Sequence, residues 1–209
     1  MKKVFTEIEI LKLIKSGAKE IVVSKNDLLT PLALDRIKHS GMKVIRGGNT
    51  ISDPASSKLK ILIGSDHTGI RMKKIVVEFL KSKSYEVLDI GTYNEDPVDY
   101  PDIASNVAYR VVNKEFDLGI ILDATGIPSA ITANKVPGIR AATCYNEFSA
   151  KSSREHNDSN ILVLGAKALG EETIKSIVDV WLKSAFLGDR HQRRLDKIKN
   201  IEDKFSKRS

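Results

Sequence analysis

Asp123 ends an apolar run, LGIILD, that is typical of a buried strand, and Thr125 and Gly126 follow it in a loop that leads into a helix. A carboxylate at the end of such a strand can act as a general base and take a proton from a substrate carbon. An aspartate in front of a helix is also a favoured capping residue. The residue types by themselves leave both roles open for Asp123.

Other polar residues whose side chains can take part in catalysis or ligand binding follow the remaining predicted strands. Parallel sheets bind ligands beyond the carboxyl ends of their strands, and we expect the whole set to lie at that edge. The set consists of Ser65, Asp66, His67, Thr92, Tyr93, Asp99, Tyr100, Asp102, Asp123, Thr125, Gly126, Arg154, His156, Asn157, Asn160 and the cluster RHQRR at 190–194. It offers carboxylates and imidazoles for proton transfer and guanidinium groups for an anion.

The elements that must position these residues alternate between strands and helices. Short apolar runs rich in β-branched residues predict strands at 60–64, 85–91, 118–123, 139–144 and 160–166. Segments between and after them, several with apolar residues at the helical period, predict helices at 69–84, 103–114, 129–136, 147–156 and 173–186. This alternation indicates an α/β fold, with a parallel sheet covered by helices on both faces.

The first 47 residues form a separate pattern of helix, strand, helix and strand. Thr30 and Pro31 predict the start of the second helix, and Gly17 and Gly41 predict helix ends. Residues 48–58, GNTISDPASSK, are rich in Gly, Ser, Asn and Pro, which is typical of a linker. The sequence therefore predicts a small α/β appendage at 1–47, a linker at 48–58 and a main domain at 59–209.

Composition narrows the class of protein. With 41% hydrophobic and 29% charged residues the chain has an ordinary globular composition, and no apolar run reaches the roughly 20 residues of a membrane span. The acidic Glu7 and Glu9 interrupt any signal peptide, and a single cysteine, Cys144, fits a reducing cytoplasm. We expect Cys144 and Trp181 to be core residues, and the protein to be cytoplasmic.

The net charge of +7 fits either nucleic acid or phosphorylated substrates. No aromatic-rich platform or zinc-ligand spacing accompanies the basic cluster, so phosphate binding is favoured and no nucleic-acid partner is expected. Asp66, His67, His156 and His191 are possible metal ligands by type, but their spacing fits no known metal motif, and no metal is expected.

Six motifs occur in an order that resembles one enzyme family. They are GSDHTG, VDYPD, TGI…ANK, GIRAA, SREHNDSN and GDRHQRRLDKI. Together they are similar to the type B ribose-5-phosphate isomerases and the related galactose-6-phosphate isomerase subunits, over about residues 59–200. The resemblance implies a Rossmann-like α/β sandwich and a homodimer or tetramer with active sites shared between subunits. It also implies a phosphorylated sugar as substrate and no cofactor.

The resemblance also implies roles for individual residues. His156 corresponds to the acid/base that opens the sugar ring, and Arg190 and Arg194 correspond to phosphate ligands that reach over from a partner subunit. The sugar site would be lined by Asp66, His67 and Tyr100. The remaining three predicted residues act at the reacting end: Thr125 and Gly126 in the loop, and Asn157 as a donor to the enediolate.

The loop after the third strand departs from the family pattern. Where these isomerases have Cys-Gly-Thr-Gly-x-Gly, with the cysteine as base, this chain has the residues from Asp123 to Pro128. Pro128 has no N–H to donate, and Ser129, where some relatives carry a glutamate base, is not a useful base. Two hypotheses follow: an isomerase in which Asp123 is the base, acting on ribose 5-phosphate, or a weak or inactive sugar-phosphate-binding subunit that needs a partner, as the A subunit of galactose-6-phosphate isomerase does.

The appendage carries a second, shorter resemblance. KEIVVSKNDLLTPLALDRIKHSGMKVI is similar to a segment of proteins associated with bacterial microcompartments. The similarity implies a possible microcompartment association, and an ordinary docking domain without enzymatic function is the alternative.

Overall fold

The computed structural model describes residues 3–23, 27–46, 49–50 and 59–206. The contacts of the chain divide it into two compact units, Met1–Ser57 and Lys58–Ser209. Each unit has its own hydrophobic core, and the larger one carries all ten residues that the sequence predicts for the site.

The first unit is a small α/β structure. Its elements are β1 (Val4–Phe5), α1 (Glu7–Lys15), β2 (Glu20–Val23), β3 (Leu28–Leu29), α2 (Pro31–Ser40), β4 (Lys43–Arg46) and β5 (Asn49–Thr50). β1 pairs with β3 and β2 with β4, both in parallel, and β5 is antiparallel to β4.

Local signals in the first unit act as the sequence predicts. The Thr30 hydroxyl accepts a hydrogen bond from the Ala33 amide at 3.2 Å, Pro31 begins α2, and Gly41 ends it with φ 69°. Of the predicted linker, Gly48 and residues 51–58 lie outside the described residues, and the pair at 49–50 forms β5.

The second unit alternates strands and helices from its first strand to its last. Its elements are β6 (Lys60–Ser65), a 3₁₀ turn (His67–Gly69), α3 (Ile70–Ser82), β7 (Glu86–Asp89), α4 (Tyr100–Val112), β8 (Leu118–Asp123), α5 (Ile127–Ala133), β9 (Ala141–Thr143), α6 (Glu147–Glu155), β10 (Ile161–Gly165), α7 (Glu171–Lys183) and α8 (Gln192–Ser206). The predicted strands and helices are all present, with boundaries shifted by a few residues. Helix α8 was not predicted, because its basic residues were read only as a charge cluster.

The five strands of the second unit form one parallel sheet in the order β7-β6-β8-β10-β9. Registers such as Ser65↔Leu122 and Gly165↔Asp123 bring the carboxyl ends of the central strands together. Between β6 and β8 the direction in which the strands are added reverses, which creates the crevice where sheets of this type bind ligands. The predicted parallel α/β fold is confirmed.

Helices cover both faces of this sheet. Alternate strand residues such as Ile120 and Leu122 pack with α3, α6 and α7, whereas Ile121 packs with α4 and α5. Cys144 and Trp181 are buried in the first of these cores, as predicted. Because both faces are covered, polar side chains of the strands reach solvent only at the strand ends.

A buried lysine fixes the segment that follows β7. Only 1% of the Lys73 side chain is exposed, and its ammonium donates to Asp89 Oδ1 at 2.6 Å and to the Thr92 carbonyl at 2.9 Å. Burial lowers the pKa of Lys73, and the bond to Asp89 opposes that change. The adjoining backbone is paired with β6, since the Thr92 amide donates to the Ser65 carbonyl. Lys73 thereby ties the segment after β7 to the carboxyl end of β6.

Replacing Lys73 by methionine should destabilise the chain, because Asp89 and the Thr92 carbonyl would lose their charged donor. We expect Lys73→Met to lower the free energy of unfolding by about 2 kcal/mol, measured by urea titration of the full chain. The exposed neighbour Lys74 provides the control, and Lys74→Met should change that value by less than about 0.5 kcal/mol. Equal effects of the two substitutions would contradict the role given to Lys73.

Candidate functional site

Six of the ten predicted site residues lie at the carboxyl edge of the sheet, in the crevice between β6 and β8. The two aspartates lie on neighbouring strand ends, because Asp66 follows the last residue of β6 and Asp123 is the last residue of β8. The Asp66 amide donates to the Leu122 carbonyl at 3.1 Å, which joins the two strand ends directly.

The Asp66 carboxylate stabilises its own turn. Its Oδ1 accepts hydrogen bonds from the Thr68 amide at 2.8 Å, the Thr68 hydroxyl at 2.6 Å and the Gly69 amide at 3.1 Å. These bonds hold the 3₁₀ turn in which His67 is the first residue. Asp66 therefore sets the position of His67 at the crevice.

A hydrogen bond to His67 holds the loop that leads into Tyr100. His67 Nδ1 accepts a hydrogen bond from the Val98 amide at 3.3 Å, so the loop before α4 is attached to the turn after β6. Tyr100 is the first residue of α4, two positions further along, and is exposed. The contact brings the GSDHTG and VDYPD motifs together.

The Asp123 carboxylate is buried, with 1% of the residue exposed, and it is bound by three backbone amides. Oδ1 accepts from the Thr125 amide at 2.8 Å and from the Gly126 amide at 2.5 Å, and Oδ2 accepts from the Ser129 amide at 3.1 Å. The carboxylate thus holds the loop and the first turn of α5 in the manner of a cap. Because a carboxylate has about four lone-pair positions, Oδ2 keeps one that is not used by these bonds.

Thr125 and Gly126 shape the loop around this carboxylate. Gly126 has φ 83°, and a Cβ at this position would lie 3.0 Å from the Gly165 amide nitrogen and 2.9 Å from Thr143 Cγ2. Only glycine fits that conformation and that space. Thr125 is exposed, and its hydroxyl accepts a hydrogen bond from the Ile127 amide at 3.2 Å.

The other four predicted residues lie at the opposite, amino edge of the sheet. Helix α6 starts after the carboxyl end of β9 and runs back, so that His156 and Asn157 follow its last residue and β10 begins at Ile161. The Asn157 carbonyl accepts a hydrogen bond from Arg140, which precedes β9. The expectation that residues 154–160 lie at the carboxyl edge is therefore wrong, because a helix that connects two parallel strands must return the chain to the amino edge. The same expectation for residues 190–194 is also wrong, because His191 stacks on His156 at the amino edge.

His156 stacks on a second imidazole, His191. The ring centroids are 4.3 Å apart and the planes differ by 5°. His156 Nδ1 lies 3.1 Å from the Ser152 hydroxyl, so its Nε2 is the nitrogen left for a ligand. Burial lowers the pKa of His191, and so do the nearby charges of His156, Arg190 and Arg194. This lowered pKa favours the neutral form of His191 beside His156.

Arg190 and Arg194 flank this histidine pair. The Leu187 amide donates to the Glu155 carbonyl at 3.0 Å, which attaches the segment before α8 to the end of α6. Arg190 Nε donates a hydrogen bond to His191 Nε2 at 3.3 Å. Arg190 and Arg194 are both exposed. Two exposed arginines next to a histidine suit a phosphate group, for which charged donors are strong ligands.

Within one chain the two sets of residues are separated by the length of the sheet. A strand of five residues such as β10 spans about 16 Å, which is longer than a pentose. One chain therefore has the loop after β8, with Asp123, at one edge of the sheet and the histidine–arginine cluster at the other.

In the described ranges, no group of three or more His, Cys, Asp and Glu side chains is arranged to hold a metal ion. Within the same ranges, none of the helices has the length and apolar character that crossing a bilayer requires.

Comparison with known proteins identifies the family. Residues 61–198 match the family model described as Ribose/Galactose Isomerase. This chain belongs to that family. It is 43% identical over 145 residues to ribose-5-phosphate isomerase B of Escherichia coli. The aligned region covers 69% of this chain and 97% of the relative.

Solved structures of isomerases share the fold of this family member. Ribose-5-phosphate isomerase B of Clostridium thermocellum is 50% identical, with a TM-score of 0.70 over 70% of this chain and 99% of that one. The enzyme from Mycoplasma genitalium, solved with bound ribulose 5-phosphate, is 43% identical, with a TM-score of 0.67 over 69% of this chain and 97% of that one. Residues 61–198, the region that the family model matches, contain all ten predicted site residues.

Three features of this isomerase-family chain were not predicted as parts of the site. His191 was predicted only as a member of the RHQRR cluster and as a metal ligand by type, and Tyr145, whose hydroxyl donates to the Thr125 carbonyl at 3.0 Å, was not among the ten predicted site residues. The Lys167 amide donates to the Ala124 carbonyl at 3.0 Å, which places the backbone of this residue beside the loop. The contacts of His191 and Tyr145 join residues 35 and 20 positions apart, so no local pattern in the sequence could reveal them.

Proposed function

We propose that this chain is an aldose–ketose isomerase that interconverts ribose 5-phosphate and ribulose 5-phosphate. The observation that carries the proposal is the 50% identity to a ribose-5-phosphate isomerase B over 99% of that enzyme's structure. The polar residues named above supply the groups that the reaction needs: acid/base side chains, donors to an oxyanion and cations for phosphate.

In this proposal His156 opens the sugar ring. Its Nδ1 is engaged by Ser152, so Nε2 would exchange a proton with the ring oxygen and the O1 hydroxyl. Arg190 and Arg194 would bind the phosphate, and His191 would support the His156 ring by stacking. Asn157 next to His156 would contribute a donor to the open-chain sugar.

Asp123 would take the proton from C2 and return it to C1, through an enediolate. Its Oδ2 is the oxygen for this step, since it carries a single hydrogen bond, 3.1 Å long, whereas Oδ1 carries two. Asp66, His67 and Tyr100 would line the sugar, with Thr125 and Gly126 beside the reacting carbon atoms. Because Asp123 is buried, the substrate must enter the crevice deeply enough for its C2 atom to approach Oδ2.

The same burial favours a second candidate function. A carboxylate committed to three amides is a good cap and is poorly placed to reach a substrate, so the chain could bind a sugar phosphate without converting it. A partner chain with an intact base would then complete the enzyme.

The substitution Asp123→Asn distinguishes the isomerase from the binding subunit. Asp123→Asn should lower kcat for ribose 5-phosphate about 10³-fold, because a general base contributes about 10²–10⁴ in rate, while its Oδ1 can still accept from the loop amides. Asp117→Asn is the matched control: this carboxylate also binds a backbone amide, that of Lys60 at 2.8 Å, but at the opposite edge. Turnover that survives in Asp123→Asn would refute the aspartate base. No turnover by the wild-type chain, on ribose 5-phosphate or galactose 6-phosphate, would favour the partner-dependent subunit.

We further propose that the active site is shared between two copies of the chain, in a homodimer or tetramer. The separation of the two sets of residues by the length of the sheet supports this, since two chains packed in opposite directions can bring one edge of each together. Helix α8 offers a surface for such packing, because Ile198, Ile201 and Phe205 are exposed on it.

Mixed oligomers test the shared site. Coexpressed Asp123→Asn and His156→Asn chains should recover about a quarter of the wild-type activity, because in a two-fold dimer half of the assemblies are mixed and each has one intact site. The control coexpresses two differently tagged Asp123→Asn chains, which carry the same defect, and should recover nothing. Equal activity of the two mixtures would show that each chain builds its own site.

For the first unit we propose a docking function, with association to a bacterial microcompartment as the specific form and a cytoplasmic location for the protein. The similarity of residues 19–45 to microcompartment-associated segments supports this proposal. Removal of residues 1–57 should leave kcat within about twofold, since each unit has its own core, and should abolish cosedimentation with isolated shells. Cosedimentation that persists after the deletion would contradict the docking function.

A further inference from the structure

Each carbonyl in the loop from Ala124 to Gly126 has a hydrogen-bond donor from outside the loop. The Ala124 carbonyl accepts from the Lys167 amide at 3.0 Å, and the Thr125 carbonyl accepts from the Tyr145 hydroxyl at 3.0 Å. The Gly126 carbonyl accepts from the Thr143 hydroxyl at 2.7 Å. Two of these three donors are side chains from the carboxyl end of β9.

The donors around the loop determine where its amides point. In a planar trans peptide the C=O and the N–H point in opposite directions. When Tyr145 holds the Thr125 carbonyl toward itself, the Gly126 N–H of the same peptide is directed toward Asp123 Oδ1, where it is bound. The Lys167 amide orients the Thr125 N–H toward the same oxygen in the same way.

The sequence around Tyr145 places its side chain at the loop. Cys144, between Thr143 and Tyr145, is buried in the core, and its two neighbours both reach the loop. Tyr145 is 43% exposed, so its ring adds little to the core and its hydroxyl contact is the feature that needs an explanation.

We propose that Tyr145 is a positioning residue for the proton-transfer loop: it fixes the Thr125–Gly126 peptide so that the Gly126 amide holds Asp123 in place. Tyr145 acts through Asp123 and does not itself exchange protons with the sugar. The effect on turnover rests on the proposed isomerase function, whereas the effect on the loop amides does not.

The test uses Tyr145→Phe in the full chain, which removes the hydroxyl and keeps the ring. We expect kcat for ribose 5-phosphate to fall about tenfold, because Asp123 would be held less firmly in its reactive position, with KM within about twofold. Hydrogen exchange of the Thr125 and Gly126 amides, followed by NMR, should become about tenfold faster. The melting temperature should change by less than about 2 °C, since Tyr145 is exposed.

Tyr109→Phe is the matched control, because it removes an exposed phenol on α4, and it should change none of these quantities. Unchanged exchange of the Gly126 amide in Tyr145→Phe would overturn the proposal, whatever happens to turnover. If the wild-type chain shows no turnover, the proposed isomerase function fails, and faster exchange in Tyr145→Phe would still support the positioning role.

Discussion

The hydrogen bonds between the Asp123 carboxylate and the loop amides organise the carboxyl edge of the sheet. A buried carboxylate must have donors, because leaving it without them costs several kcal/mol, and here the amides of Thr125, Gly126 and Ser129 supply them. The loop closes around the charge, and residues after β9 and β10 then hold the loop from outside. Asp123 therefore serves as the anchor of its own loop.

This arrangement creates a conflict between structure and chemistry at one residue. The more completely amides satisfy a carboxylate, the less of it remains to accept a proton from a substrate. Asp123 stands between the two extremes, since one oxygen has two hydrogen bonds and the other has one. Under the proposed function, the balance between capping and catalysis at Asp123 decides whether the chain works alone or with a partner.

The second constraint is the direction of the parallel sheet. Every helix that joins two parallel strands returns the chain to the amino edge, so residues at the end of such a helix cannot meet residues at the end of a strand within the same chain. His156 and Asp123 are separated for this reason. This separation is the reason for the proposal that a second copy, or another chain, brings the two sets of residues together.

The sequence by itself determined the alternation of strands and helices, the confirmed parallel α/β fold and the family, because these depend on periodic apolar patterns and contiguous motifs. The capping of α2 by Thr30 and the burial of Trp181 were also predictable from local signals. Only the tertiary structure decided the edge on which His156 lies, the three amides that bind Asp123 and the stacking of His156 on His191. Those features come from contacts between distant segments, whose positions follow from strand order and packing and leave no periodic trace in the sequence.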